Sequence, residues 1–116
     1  YNGPSIIIAY AHCIAHGINM AESLSHDEMA VRSGAWVLYR FNPDRLKEGK
    51  NPLQLDSKKP DIPYSEYAYT ETRFRSLLGK DPDRARMLIE AGQKDADHRW
   101  FMYSHLADMD YSSMAD

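Results

Sequence analysis

The sequence predicts a mixed fold: part of an α/β domain, or α+β if the 116 residues are taken alone. Three observations carry this expectation. Residues 5–10 hold the run Ile6-Ile7-Ile8, which is β-branched and shows no polar alternation, the pattern of a strand buried on both faces. Residues 36–41 and 52–56 are two further strand-like runs, short enough and close enough in sequence to pair as an antiparallel hairpin. The C-terminal half then changes to helical periodicity, with helices expected over about residues 66–78 and 82–107.

Taken in order, Gly3-Pro4 punctuates the start, and the strand expected at 5–10 runs directly into His12-Cys13. In open α/β sheets, ligands gather outside the carboxyl ends of strands, so this loop is a reasonable place for a site. Gly17 ends the loop, and Asn19 is placed to cap a short turn. Ser25-His26-Asp27-Glu28 has the form of a capping box, so a helix is expected over about 26–33, closed by Gly34.

Trp36-Val37-Leu38-Tyr39-Arg40-Phe41 is aromatic and β-branched, and Asn42-Pro43 breaks it. Asp44 to Lys50 is a charged excursion with room for a helical turn. Pro52-Leu53-Gln54-Leu55-Asp56 alternates like an edge strand, with proline at its first position. Residues 57–63 form a connector stiffened by prolines. Ser65 is a candidate cap for the next helix, whose apolar side carries Tyr67, Phe74, Leu77 and Leu78 and which Gly79 stops.

Asp81-Pro82 places a cap before proline at the first helical position. In the helix that follows, Ala85, Leu88, Ile89, Ala96, Trp100, Tyr103 and Leu106 recur at helical spacing. Gly92 lies inside it, which predicts either the close approach of another backbone or a bend. Residues 108–116 are expected to fray.

Length and composition narrow the class. The chain is expected to be a single partial domain, residues 1–116, because it begins with Tyr1 and because a strand apolar on both faces needs neighbours for which this sequence supplies few candidates. A formal net charge of −3 gives no electrostatic case for nucleic acid, which calls for a basic face. No run approaches the roughly 18 apolar residues of a membrane span. One cysteine makes no disulfide framework and no secretory leader is visible, so the expected location is the cytoplasm.

Reactive groups concentrate in His12-Cys13-Ile14-Ala15-His16. Cys13 has three readings: a small core hydrophobe, a soft thiolate ligand for zinc or an iron–sulfur centre, or a nucleophile with His12 or His16 as its base. His12, Cys13 and His16 would supply at most three zinc ligands, where a closed structural site needs four. A [4Fe–4S] cluster normally takes four thiolates, so a cluster would need three cysteines from elsewhere. His26, His98 and His105 are expected at the surface or near caps. Asp27 and Glu28 read as helix-start charge, and Asp95 and Asp97 as a solvated face. Trp100, Phe101 and Tyr103 read as core and interface. There is no glycine-rich phosphate loop and no GxSxG elbow.

Three stretches carry a resemblance to a known family. They are Gly3-Pro4-Ser5-Ile6-Ile7-Ile8-Ala9-Tyr10 running into His12-Cys13-Ile14-Ala15-His16-Gly17, then Gly49-Lys50-Asn51-Pro52-Leu53-Gln54-Leu55-Asp56-Ser57, and finally His98-Arg99-Trp100 through Tyr103 to His105-Leu106-Ala107. In order, and over essentially the whole chain, they resemble the C-terminal part of pyruvate:ferredoxin (flavodoxin) oxidoreductases.

The resemblance implies the end of a thiamine-diphosphate-binding domain in a much longer, homodimeric enzyme. Such enzymes decarboxylate pyruvate oxidatively with coenzyme A to acetyl-CoA and carbon dioxide. Thiamine diphosphate and Mg2+ serve the carbon chemistry, and [4Fe–4S] clusters pass electrons to ferredoxin or flavodoxin. It further implies that Cys13 is the fourth ligand of the cluster nearest the thiamine. No catalytic residue is carried over, and the fragment alone is expected to be inactive. His12 and His16 flank the ligand and are placed to tune it. The alternative is a small structural or zinc-binding module using His12, Cys13 and His16.

Overall fold

A computed structural model of the chain describes residues 1–114. Its regular elements are helix α1 (Ser23–Arg32), strands β1 (Tyr39–Phe41) and β2 (Leu53–Leu55), and helices α2 (Tyr64–Ala68), α3 (Thr72–Lys80) and α4 (Pro82–Ala107). Short 3-10 turns lie at Ile14–His16, Met20–Glu22, Pro43–Glu48 and Ser112–Met114. The fold is thus α+β, as expected for the chain taken alone. Helix α4 is the spine: α2, α3 and β2 all pack on it.

Helix α4 has the predicted limits. The Asp81 carboxylate accepts from the Arg84 amide at 3.0 Å, and Pro82 occupies the first turn, where its missing N–H leaves no gap in the helical ladder. Gly92 does admit a close neighbour, but that neighbour is a side chain. A Cβ there would sit 2.5 Å from the Tyr64 ring, so glycine lets the ring lie on the helix surface. The helix continues through this position.

The hairpin forms as expected, with register Tyr39↔Leu55, Arg40↔Gln54 and Phe41↔Leu53. Two three-residue strands are marginal by themselves. Packing on α4 holds them: Tyr39 stacks on Tyr103 with ring centroids 4.9 Å apart. Asn51 reaches from the hairpin to the end of α4, where its Nδ2 lies 2.8, 2.9 and 3.1 Å from the carbonyls of Leu106, Ala107 and Met109. Arg99 of α4 donates to the carbonyls of Gly34 and Ala35, closing the same side.

Several expectations are corrected. The strand at 5–10 does not form, and this segment carries no regular secondary structure. A strand exists through a partner, and among the described residues the two strands pair with each other. Ile6, Ile7 and Ile8 are 84, 92 and 66% exposed. The helix expected at about 26–33 begins earlier, at Ser23, continuing from the turn capped by Asn19, and the capping box is not used. The helix expected at about 66–78 is two helices, interrupted at residues 69–71. There the Thr70 hydroxyl donates to the Tyr67 carbonyl at 2.6 Å, a side-chain bond that competes with helix continuation, and Glu71 is extended. The residues after α4 do not simply fray, since Met109 is tied to Asn51 and Ser112–Met114 form a turn. That expectation at 115 and 116 lies outside the described residues.

Among the described residues the buried hydrophobic set is small: Ala30, Val37, Tyr67, Ala68, Ala85 and Ala96. The molecule measures 59 × 27 × 21 Å, with a radius of gyration of 17.7 Å. A compact domain of this length would have a radius of roughly 13 Å. Among the described residues no helix is long and apolar enough to cross a membrane.

Candidate functional site

The site is built where the N-terminal segment turns. Cys13 is the extended residue before the 3-10 turn Ile14–His16, with φ −122° and ψ 123°. The His16 amide donates to the Cys13 carbonyl at 3.0 Å. Gly17 follows at φ 74°, the left-handed conformation that closes the turn. The Cys13 thiol is free and exposed. It lines a pocket of about 120 Å³ together with Tyr10, His16, Tyr64, Tyr67 and Glu71. Among the described residues nothing buries this cysteine.

Residues 71–73 clasp the turn from below. Gly17 offers its carbonyl to the Thr72 amide at 3.0 Å and to the Thr72 hydroxyl at 2.7 Å. His16 is held on both ring nitrogens. Arg73 Nη1 lies 3.0 Å from Nε2, and a guanidinium only donates, so Nε2 is the acceptor and Nδ1 carries the proton. Nδ1–H then donates to Glu71 Oε2 at 2.8 Å.

The other oxygen of Glu71 faces His26. Nε2 of His26 lies 3.3 Å from Glu71 Oε1 and 3.2 Å from the Tyr10 hydroxyl. Because the Thr70 hydroxyl is committed as donor to Tyr67, it accepts from His26 Nδ1 at 2.7 Å. Tyr10 and Tyr67 share a 2.8 Å hydroxyl contact. Burial, then the hydrogen bond to Tyr10, pushes the Tyr67 hydroxyl far above the ordinary tyrosine range. Among the described residues no buried side-chain nitrogen or oxygen lacks a partner. A polar cluster so fully satisfied fixes geometry.

His12 is anchored separately, with Nδ1 3.1 Å from both carboxylate oxygens of Asp27. The three residues of the zinc reading therefore do not converge. His12 and His16 turn toward different carboxylates, and no group of three or more His, Cys, Asp or Glu among the described residues is arranged to hold a metal ion.

The contacts that support the Cys13 turn were not legible in the sequence. His26, expected at the surface, is 3% exposed and bonded on both nitrogens, to Thr70 and Tyr10. Glu71 had no signal at all in the sequence. It falls within what reads as one continuous helix, and only the break at 69–71 turns it inward. Asp27, expected as helix-start charge, lies in the second turn of α1, which has no acidic residue in its first, and its partner is His12. His98, His105, Asp95 and Asp97 are exposed, as expected.

No protein-family model matches the chain. Individual relatives do. The chain is 50% identical over 107 residues to the pyruvate-flavodoxin oxidoreductase of Trichormus variabilis. It is 44% identical over 108 residues to the pyruvate:ferredoxin oxidoreductase of Moorella thermoacetica. It is 42% identical over 109 residues to the probable pyruvate-flavodoxin oxidoreductase of Escherichia coli. These matches take in 92 or 93% of this chain but only 9% of each relative. The chain is thus homologous to a fragment of these enzymes.

Proposed function

We propose that this chain is the C-terminal portion of the thiamine-binding domain of a pyruvate:ferredoxin or flavodoxin oxidoreductase, and that Cys13 supplies the fourth thiolate of the [4Fe–4S] cluster nearest the thiamine. One observation carries the reading: an exposed thiol, free of any disulfide partner, on an anchored turn in a chain half identical to an enzyme of that name. The whole enzyme would convert pyruvate and coenzyme A to acetyl-CoA and carbon dioxide, and the two electrons released would leave through clusters to ferredoxin or flavodoxin. Bound thiamine diphosphate with Mg2+ would supply the carbon chemistry, and the clusters one-electron transfer.

This chain's contribution is a ligand and its mounting. Cys13 would hold iron as the thiolate. The turn Ile14–His16 fixes the Cys13 backbone, and the His12–Asp27 and His16–Glu71 pairs place two polarised imidazoles on either side of the thiol in sequence. The homodimer and the cytoplasmic location belong to the same reading, as does the inactivity of the fragment alone.

The test is iron content and low-temperature EPR of the full-length enzyme purified anaerobically, with Cys13 intact and with Cys13→Ala. Loss of one cluster, about four irons per chain, together with its EPR signal is the expected result. An unchanged iron count and spectrum would return the chain to scaffold.

A further inference from the structure

We infer that Glu71 is the positioning residue of the Cys13 thiolate: a buried carboxylate that locks the ligand-bearing turn to the helical scaffold through His16. The inference rests on Cys13 being a cluster ligand, and it adds a residue 58 positions away in the sequence that touches neither iron nor substrate.

Three observations converge. Glu71 is 3% exposed, and each of its two oxygens faces a different histidine. His16 belongs to the turn that bears Cys13, and Glu71 immediately precedes α3, so its carboxylate joins the turn to that helix. Glu71 also sits at the break between α2 and α3. Its extended backbone, φ −91° and ψ 126°, sets the three consecutive residues 71–73 against His16 and Gly17. A helix continuing through 69–71 would not present these three residues to the turn together, since neighbours in a helix point to different faces.

The chemistry follows from the tautomer. Arg73 donates to His16 Nε2, so Nδ1 must donate, and Glu71 Oε2 is its acceptor. Removing the carboxylate leaves the imidazole with one anchor on an exposed arginine. The His16 amide bonds the Cys13 carbonyl, so play in the ring passes directly to the backbone of the ligand. Partners that orient metal ligands from outside the coordination sphere typically change metal affinity by 10–100-fold when removed.

The experiment uses the full-length holoenzyme and follows iron loss to a chelator, alongside the cluster's EPR line shape. Glu71→Ala and His16→Ala should each speed iron loss by about tenfold and shift the EPR line shape. The double variant should add little, because both break one link. His16→Asn, whose amide can donate where Nδ1–H did, should restore slow loss. Glu71 is buried, and if its alanine variant fails to fold the His16 pair replaces it as the probe; His16 is about one-third exposed and its removal opens no sealed void. If Cys13→Ala removes the cluster while both His16 variants retain iron and line shape like the unmodified enzyme, the positioning role is wrong. If Cys13→Ala keeps its cluster, the ligand reading fails first, and the positioning role fails with it.

Discussion

Gly17 decides how closely the Cys13 turn approaches the helices. It is left-handed at φ 74°, and a Cβ on it would lie 2.7 Å from Cβ of Thr72, the residue that donates two hydrogen bonds to the Gly17 carbonyl. Gly17→Ala therefore meets two penalties: roughly 1–2 kcal/mol for an L-residue in this region, and a clash that pushes Thr72 away. The expected outcome is local. Protection of the Thr72 amide against hydrogen exchange in the full-length enzyme should fall by about tenfold or more, since each 1.4 kcal/mol is a factor of ten. Unchanged protection would mean that the turn and residues 71–73 are not clasped in solution. The same geometry explains why Cys13 can be both exposed and fixed, with its side chain outside and its carbonyl and following residues bonded beneath.

Among the elements, the hairpin and α4 depend on Asn51. Its Nδ2 faces three carbonyls at the end of α4, and its Oδ1 accepts from the Leu53 amide at 2.8 Å, so one side chain both starts β2 and caps a helix. Asn51→Ala should release the end of α4 from the hairpin at a cost of about 1–2 kcal/mol. Faster exchange of the Leu53 amide, with that of Arg84 at the far end of α4 unchanged, is the signature to measure. The sequence marked the stretch 51–57 through its resemblance, yet offered no physical role for it. A capping asparagine 55 residues from its helix end leaves no local pattern. The legible elements were those with local causes. Helix α4 was readable from Asp81-Pro82 and its periodicity, the hairpin from two apolar runs around Asn42-Pro43, and the 3-10 turn at Met20–Glu22 from Asn19. What failed had non-local causes. The Ile6-Ile7-Ile8 run is strand-like, but no strand among the described residues pairs with it. At the α2–α3 break a local bond from Thr70 to Tyr67 combines with a buried polar cluster gathered from segments 44–57 residues apart, which no local pattern reveals.

At the scale of the whole molecule, core and surface do not balance. Among the described residues the buried hydrophobic ones are four alanines, a valine and a tyrosine, while Ile6, Ile7, Leu24 and Ile14 are at least 71% exposed. Burying one such side chain is worth about 1.5–3 kcal/mol, so these four alone represent a driving force comparable to the stability of a small domain. A segment with three adjacent isoleucines and an unpaired backbone is also an open template for strand pairing. The two settings should therefore respond in opposite ways. Produced alone, the chain should self-associate and bind a hydrophobic dye, and replacing Ile6 and Ile7 with serine should shift its elution on gel filtration toward the monomer. In the longer enzyme the same two substitutions should act in the opposite direction, lowering thermal stability, because there the isoleucines would be covered by the rest of the protein. A chain that is monomeric and dye-free alone, with an enzyme indifferent to the substitutions, would show that the isoleucine run packs against nothing in either setting. A loss of stability in the enzyme would place the run inside the larger fold, directly ahead of the thiol that the fold is proposed to present.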